Sequence, residues 1–320
     1  LALCGGVGGA KLALGLYRVL GENALTVLVN TGDDFEHLSL HVSPDIDTVL
    51  YTLAGLADRE RGWGREAESW NCMETLRLLQ AEDWFLLGDK DLGVHIERTH
   101  RLRQGEALSD IVRDFADRLS ISAQILPMSD DPVRTLVETD EGLLAFQEYF
   151  VRRRCEPAVR GIRYQGADSA RPPERILAAL ADGSFDAVVI CPSNPVLSID
   201  PMLRIAGLRE ALAATPSPVV AVSPLVGGRA LKGPAAKILR ELGQEPSAKT
   251  IAAHYGELLD GLVLDAADAR DCPGVAVPTL STKTVMTSLE DREDLALSCV
   301  SFARSLAERG GTEQRRRRPG

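Results

Sequence analysis

The first thirty residues alternate between apolar runs, a glycine-rich turn and an amphipathic segment, and this alternation restricts the fold more than any other feature. Residues 1–4 are apolar, residues 5–9 contain four glycines, and residues 10–17 carry apolar side chains at helical spacing. Residues 25–29 form a second apolar run, which ends in the polar cluster 30–34. This order predicts parallel strands that are buried on both faces, with functional loops at their carboxyl ends.

The same alternation returns in the second half of the chain. Apolar runs and helical spacing predict strands at residues 187–190, 219–222 and 261–264, and helices at residues 201–214, 235–242 and 290–307. We therefore predict an α/β fold: a Rossmann-like, doubly wound and mostly parallel sheet formed by residues 1–44 and 167–309.

Residues 45–166 are predicted to form an insertion into this core. Helical patterns cover about residues 45–119. Three short segments after them predict strands of a small antiparallel sheet, at residues 124–128, 133–137 and 161–164.

Composition limits the kind of protein. The chain has 45% hydrophobic and 26% charged residues, and its formal net charge of -10 argues against nucleic-acid binding. No apolar stretch approaches the roughly 20 residues needed to cross a bilayer, and the start lacks the features of a signal peptide, so we expect a cytoplasmic protein. Because the first strand starts at residue 1, we expect that a few N-terminal residues are missing. The arginine-rich residues 310–320 predict a disordered basic tail.

The glycine-rich turn is suited to binding an anion. Backbone N–H groups there can approach a phosphate closely, and the start of the following helix and Lys11 add positive charge. The glycines concerned are Gly5, Gly6, Gly8 and Gly9. Their spacing matches neither GxxxxGK(S/T) nor GxGxxG, so a simple tight turn is the alternative. A nicotinamide oxidoreductase is disfavoured, because Asn30 ends the second strand where an acidic ribose anchor is expected.

Four carboxylates follow the second strand, at Asp33, Asp34, Asp45 and Asp47. They would face the glycine turn, and carboxylate oxygens near a phosphate are typical magnesium ligands. Taken singly, each of these residues is explained at least as well by a turn or by a helix cap. Together they predict a magnesium site.

Polar loops also follow two later strands of the predicted sheet. Residues 191–195 (CPSNP) and 223–228 (SPLVGG) combine prolines with hydrogen-bonding groups, which suits the base or ribose of a nucleotide. Lys232 precedes a helix and is placed to neutralise a phosphate. Residues 86–91, together with the following His95 and Arg98, are adequately explained by a solvated turn.

In these blocks the chain resembles the 2-phospho-L-lactate transferases of deazaflavin coenzyme F-420 biosynthesis. The resemblance extends from Gly5 to about Asp268, and its ordered motifs include GGVGGAKL, VNTGDD, HVSPDIDTVLYTLAG, FLLGDKDLGVHIERT, LPMSDDPVRT, FQEYFVRRRCEP and CPSNPVLSI. So many blocks in order exclude chance similarity. The alternative is a non-catalytic nucleotide-sugar-binding regulator of the same superfamily, which shares the glycine turn but lacks the combination of SDDPVRT and FQEYFVRRR.

The resemblance implies a reaction. A phospho-organic acid would pass from a guanosine-diphosphate-linked donor to the terminal ribityl hydroxyl of the deazariboflavin FO, with release of GMP and a requirement for magnesium. One sequence does not resolve whether the acid is 2-phospho-L-lactate, phosphoenolpyruvate or 3-phosphoglycerate, because the three differ by small groups. The family also suggests a homodimer.

The resemblance also implies roles for single residues. The four glycines of the turn and Lys11 would bind the diphosphate, and Asp45 and Asp47 would bind magnesium or the acceptor hydroxyl, with Asp47 as the candidate general base. Acceptor contacts would come from Asp47, Leu86 and Asp89. Donor and guanosine contacts would come from Asn30, Ser193, Asn194 and Ser223. Leu86 departs from the archaeal relative, which has a lysine just before its LGD motif.

A flat deazaflavin ring needs an apolar wall. The insertion supplies Trp63, Trp70, Trp84 and Phe85, although packing within a helical subdomain explains these residues equally well. The basic residues 152–154 are candidates for contacts with the carboxylate of the donor, with an exposed strand end as the alternative.

Overall fold

The computed structural model describes residues 1–58, 60–230 and 233–316, with side chains as far as Arg309. Its strands are β1 Ala2–Cys4, β2 Thr26–Val29, β3 Phe35–His37, β4 Leu40–Val42, β5 Gln124–Pro127, β6 Arg134–Thr139, β7 Gly142–Ala145, β8 Val159–Gln165, β9 Val188–Ile190, β10 Val219–Val222, β11 Leu225–Val226, β12 Arg229–Ala230, β13 Gly261–Asp265 and β14 Thr279–Thr282. Seven of them form one parallel sheet in the order β14-β13-β10-β9-β1-β2-β5. The predicted α/β fold with a parallel sheet is confirmed.

The strand order reverses at β1. This strand pairs with β2 on one side, with Leu3 opposite Leu28, and with β9 on the other, with Leu3 opposite Ile190. The loops that follow β1 and β9 therefore leave the sheet side by side. In an open α/β sheet, such a switch point forms a crevice outside the carboxyl ends of the strands, where ligands bind.

One strand was assigned to the wrong sheet. Residues 124–128 were predicted to belong to the small antiparallel sheet, but β5 pairs in parallel with β2 at the edge of the central sheet. Ile125 and Leu126 are buried there, as is typical of a strand that is covered on both faces. The antiparallel sheet does form, in the order β7-β6-β8. Two short antiparallel pairs, β3-β4 and β11-β12, complete the strands.

The helices cover both faces of the central sheet. They are α1 Gly6–Val19, α2 Pro44–Leu53, α3 Asn71–Leu78, α4 Asp89–Arg103, α5 Leu108–Arg118, α6 Glu174–Asp182, α7 Asp200–Leu203, α8 Leu208–Ala214, α9 Ala235–Glu241, α10 Ala248–Tyr255 and α11 Leu289–Arg316. The single helix predicted over residues 201–214 is wrong, because the chain turns at Gly207, whose φ is +84°, and α8 starts after it.

Two buried apolar clusters lie on opposite faces of the sheet, because side chains alternate along a strand. Leu3 and Leu28 belong to one cluster, and Cys4 and Val27 belong to the other. The last helix, α11, extends to Arg316 and so enters the segment predicted to be a tail; residues 317–320 and Lys232 lie outside the described residues. In the part of the chain that the structure describes, no helix combines the length and the apolarity needed to cross a membrane.

Candidate active site

The glycine turn after β1 packs against the loop after β9. The Gly5 N–H donates to Ser193 Oγ at 3.1 Å, and Ser193 Oγ donates back to the Gly5 carbonyl at 2.8 Å. A Cβ atom at Gly5 would lie 2.5 Å from Ser198 Cβ, and one at Gly8 would lie 2.5 Å from the Pro192 carbonyl oxygen. These glycines are required because two loops approach each other closely at the switch point.

Gly6 differs from its neighbours. Its φ is +66°, a left-handed conformation that glycine adopts without strain, and a Cβ there would meet no atom within 4 Å. It is also the first residue of α1, and the backbone N–H groups at the start of a helix, which have no partner within the helix, together with the helix dipole favour an anion. Gly6 is therefore the point of the turn that faces open space, as a phosphate site requires.

Asp45 connects this turn to β2. Its carboxylate accepts hydrogen bonds from the Gly6 N–H at 2.8 Å and from Asn30 Nδ2 at 3.0 Å. Asn30 is itself held by the Gly32 N–H, which donates to its Oδ1 at 2.9 Å. Burial raises the pKa of Asp45 to about 6, although the hydrogen bonds from Asn30 and Gly6 oppose the shift. Asp45 thus bonds to the glycine turn and is not the cap of α2, whose N-cap is Ser43.

Asp33 and Asp34 lie in the same cluster and are 7% and 2% exposed. Ser43 Oγ donates to Asp34 Oδ2 at 2.7 Å, but the Oδ1 atoms of Asp33 and Asp34 have no hydrogen-bond partner among the described residues. Burial, and then the charge of Asp45, raises the pKa of Asp33 well above its usual value. Buried carboxylate oxygens without partners cost free energy unless a cation or a proton satisfies them.

Asp47 is held by a buried arginine from α4. Arg98 Nη1 donates to Asp47 Oδ2 at 3.1 Å, and Arg98 Nη2 donates to Asp47 Oδ1. The Arg98 side chain is fully buried. Burial raises the pKa of Asp47, while the charges of Arg98 and His95 oppose the rise. The interpretation of His95 and Arg98 as part of a solvated turn is wrong: both are buried against Asp47.

A second contact joins the same two helices. Tyr51 Oη donates to Asp91 Oδ1 at 2.5 Å, and His95 Nε2 lies 3.4 Å from that oxygen. Potential ligand atoms of Asp47, Asp91 and His95 lie within 4.8 Å of one another. The guanidinium of Arg98 touches both Asp47 and His95, so positive charge is already present where a cation would have to bind. This trio is therefore better described as an ionic network than as a metal centre.

Other predicted site residues make local contacts. Asn194 Oδ1 accepts from the backbone of Val196 and Leu197 at 3.1 and 3.2 Å, and so caps the π-helical turn Pro195–Ile199. Ser223 Oγ accepts from the Leu225 N–H at 3.2 Å. These contacts fix the two loops at the crevice.

Lys11 contacts the segment that leads into α11. Its Nζ donates to the Met286 carbonyl at 3.0 Å, on the segment that leads into α11. The structure thus brings the glycine turn, Asn30, Asp45 and Ser193 together, but it directs the ammonium of Lys11 towards the start of α11.

Leu86 and Asp89 lie at the start of α4. Leu86 is 36% exposed, whereas the Asp89 carboxylate accepts hydrogen bonds from the start of α3. Its donors are Ser69 Oγ, Asn71 N, Asn71 Nδ2 and Cys72 N. The hydrogen bond from Ser69, and then those from Asn71 and Cys72, lower the pKa of Asp89 to about 2. Asp89 therefore has a structural role in joining α3 to α4.

The predicted aromatic wall divides into two groups. Trp84 and Phe85 pack with the β3-β4 hairpin, where the rings of Phe85 and Phe35 are 4.8 Å apart. Trp63 and Trp70 pack on each other at 6.5 Å. Of the basic residues 152–154, Arg152 lies over the ring of Trp84 at 6.0 Å.

The fold is similar to one seen in solved structures. A crystal structure of a member of the UPF0052 family from Bacillus halodurans matches with a TM-score of 0.62 and 16% identity, and the match covers 93% of this chain and 98% of that one. At this identity, the likeness supports the fold alone.

Relatives match over almost the whole sequence. A phosphoenolpyruvate transferase from Kitasatospora aureofaciens is 39% identical over 316 residues, which cover 96% of this chain and 98% of that protein. A 2-phospho-L-lactate transferase from Methanosarcina mazei is 38% identical over 295 residues, which cover 91% of this chain and 96% of that protein. The sequence profile of the family described as 2-phospho-L-lactate transferase CofD matches residues 1–276. The chain therefore belongs to the 2-phospho-L-lactate transferase family, as its motifs predicted.

Proposed function

We propose that this protein transfers a phospho-organic acid from a guanosine-diphosphate-linked donor to the ribityl hydroxyl of FO and releases GMP, as a step in coenzyme F-420 biosynthesis. The observation that carries the proposal is a group of buried carboxylates at the switch point of the sheet, where Asp45 accepts a hydrogen bond from the Gly6 N–H at the start of α1 and its charge acts on the neighbouring Asp33. An anion-binding turn next to a cation-binding cluster suits a diphosphate whose phosphoryl group is displaced.

In this reaction the ribityl oxygen attacks the phosphorus atom that carries the organic acid. A P–O bond to the acceptor forms, the P–O bond to GMP breaks, and the hydroxyl proton passes to a base. Asp47 is our candidate for that base, because carboxylates serve as general bases when they are held within hydrogen-bond reach of the proton. The glycine turn and α1 would hold the diphosphate in line with the acceptor.

The carboxylate cluster fits magnesium, because it offers hard oxygen ligands that lack partners. Asp45 and the unpartnered oxygens of Asp33 and Asp34 are the ligands that we propose, whereas Asp47, whose two oxygens are paired with Arg98, is left as the candidate base. When bound, the ion would neutralise charge on the diphosphate. The identities do not distinguish phosphoenolpyruvate from 2-phospho-L-lactate as the organic acid, because a phosphoenolpyruvate transferase and a 2-phospho-L-lactate transferase match with 39% and 38% identity.

The direct test is to incubate the protein with magnesium, FO and each of three guanosine-diphosphate-linked acids, and to follow products by chromatography. We expect one donor to yield a phosphorylated deazaflavin and an equal amount of GMP, and EDTA to stop both. FO binding without product from any of the three acids would contradict the proposed donors. Failure to bind FO would contradict the transferase and favour a regulator of the same superfamily.

Magnesium should stabilise the protein in a pH-dependent manner. Because burial raises the pKa of Asp45 to about 6, this carboxyl is neutral at pH 5 and charged at pH 7.5. Without a cation, a raised carboxyl pKa stabilises the fold below the unfolded value of about 4, and this contribution is lost as the pH rises through 6. We therefore expect magnesium to raise the melting temperature clearly at pH 7.5 and little at pH 5.

The measurement is a set of melting curves in magnesium and in EDTA at pH 5, 6 and 7.5. In Asp45→Asn, the effect of magnesium should be smaller at pH 7.5 and should depend less on pH. An equal effect of magnesium on the wild-type protein at pH 5 and 7.5 would show that Asp45 does not contribute to the cation site.

A further inference from the structure

The pairing of Asp47 with Arg98 joins two helices that are far apart in the sequence. Asp47 lies in the first turn of α2, and Arg98 lies in the second half of α4. Both guanidinium Nη atoms donate to the carboxylate, one to each oxygen. Because the guanidinium is a rigid planar fork, a bidentate pair of this kind fixes both the position and the rotation of the carboxylate.

The fork leaves part of the Asp47 carboxylate free. An ionised carboxylate has about four acceptor sites, two on each oxygen, and a bidentate arginine occupies one on each. The remaining sites point away from Arg98. Asp47 is 5% exposed, so few directions of approach to them are open. Arg98, together with His95, whose Nδ1 lies 3.6 Å from Asp47 Oδ2, therefore limits where Asp47 can accept a further hydrogen bond.

Stability alone is a poor explanation for this pair. Arg98 is fully buried, and removing two charges from water costs free energy that their attraction often fails to recover. The Nε atom of Arg98 has no hydrogen-bond partner among the described residues, which adds to that cost. An apolar contact between α2 and α4 would hold these helices together with less desolvation.

Other contacts hold Arg98 itself in place. Its Nη1 lies 3.4 Å from His95 Nδ1 and 3.5 Å from the carbonyl oxygen of His41, at the start of the segment that leads into α2. One turn after Asp47 in α2 and two turns before Arg98 in α4, Tyr51 donates to Asp91. The two helices are thus joined at two levels, and the guanidinium cannot rotate without breaking several contacts.

We propose that Arg98 is a positioning residue that holds the Asp47 carboxylate in the orientation needed to accept the hydroxyl proton of the acceptor. Arg98 acts through Asp47 and touches no substrate. The inference rests on the proposed transfer reaction, because it assigns Arg98 a part in that reaction. It predicts that the shape of the guanidinium matters as well as its charge.

The first test is Arg98→Lys, which keeps the charge but removes the fork. We expect kcat for FO transfer to fall at least about tenfold. The dissociation constant for FO, measured by its fluorescence in EDTA, should change less than about threefold, because Arg98 itself does not contact the deazaflavin ring. Arg101→Lys is the matched control: it lies one turn further along α4, and its guanidinium pairs with Glu106 and Asp114 near the surface. This control should keep wild-type kcat.

The second test asks whether Arg98 acts only through Asp47. In Asp47→Asn/Arg98→Gln, both charges of the buried pair are removed together, so the variant avoids an unpaired buried charge. We expect its kcat to match that of Asp47→Asn, because a positioning residue has nothing left to position. This comparison holds even where Arg98→Lys folds poorly.

Three results would count against this role. Wild-type kcat in Arg98→Lys would show that the fork is unnecessary. A parallel fall in FO affinity would show that Arg98 shapes the acceptor site instead of orienting Asp47. A double variant much slower than Asp47→Asn would show an effect that is independent of Asp47. Wild-type protein that transfers nothing would instead contradict the proposed function, so the two failures are distinguishable.

Discussion

Asp47→Asn is expected to lower kcat for FO transfer by at least about 100-fold at saturating magnesium, donor and acceptor. The substitution keeps the size of the side chain but replaces a base with an amide that cannot accept the hydroxyl proton. General bases commonly contribute factors of about 100 to 10,000 to a rate, so the loss should far exceed experimental error. The measurement is steady-state release of GMP, with the deazaflavin product quantified in parallel.

The environment of Asp47 explains why asparagine is the informative replacement. Asp47→Ala would leave the fully buried Arg98 without its partner, and an unpaired buried charge costs about 3–5 kcal/mol. Part of that cost remains in Asp47→Asn, whose amide oxygen can still accept one bond from the guanidinium. Melting curves should therefore accompany the kinetics, so that loss of folded protein is separated from loss of turnover.

A matched control is Asp114→Asn. Asp114 also pairs with arginines, Arg101 and Arg118, but it lies on α5, away from the carboxylate cluster. Its removal should leave kcat within about twofold of wild type, because surface ion pairs contribute little. If Asp47→Asn or Asp47→Ala turns over within a few-fold of wild type at saturating magnesium, Asp47 is not the general base.

Most of the central sheet could be predicted from the sequence, because its strands are buried on both faces. Such strands appear as unbroken apolar runs, and β10 lies at the predicted residues, Val219–Val222. The strand β14 was missed for the opposite reason. It is an edge strand with the sequence Thr-Leu-Ser-Thr, and its side chains are only partly buried. Four residues of this composition show no hydrophobic periodicity that would distinguish a strand from a loop.

The chain segments of the site were also predictable, but their contacts were not. The motifs around Gly5, Asn30 and Ser193 identified the loops at the carboxyl ends of β1, β2 and β9, since parallel strands bring these ends together. The role of Arg98 was hidden because it is separated from Asp47 by 51 positions and lies in a helix that is rich in charged residues. Only the packing of α4 on β4 and α2 distinguishes a buried arginine from a solvated one.

Lys11 and Asp89 illustrate the same limit. Lysine after a glycine turn suggests a phosphate ligand, yet the contact of Lys11 with Met286 depends on how α11 packs on α1. Asp89 follows the LLG sequence of an expected acceptor segment, but its carboxylate is bonded to residues that precede it by about 20 positions. Sequence patterns give the residue type that chemistry needs, whereas long-range packing decides whether the side chain is available for it.

The second large effect concerns the fold at the switch point: Gly8→Ala should destabilise the protein by about 3 kcal/mol. The new Cβ would lie 2.5 Å from the Pro192 carbonyl oxygen, which is a backbone atom and cannot move without displacing the loop after β9. That loop also carries Ser193, whose hydroxyl bonds to Gly5 in both directions, so the strain should spread to the glycine turn. For a chain of this size we expect the melting temperature to fall by about 4–5 °C.

Gly93→Ala supplies the control, because it makes the same chemical change in another helix. Gly93 is an exposed residue inside α4, and a Cβ there would meet no atom within 4 Å. Alanine should stabilise that helix by about 0.5–1 kcal/mol, since glycine loses more backbone entropy on folding. The two variants should therefore shift the melting temperature in opposite directions. A melting temperature for Gly8→Ala equal to that of wild type would mean that the loops after β1 and β9 can move apart without loss of stability. The close contact between these two loops would then not be what holds the site together.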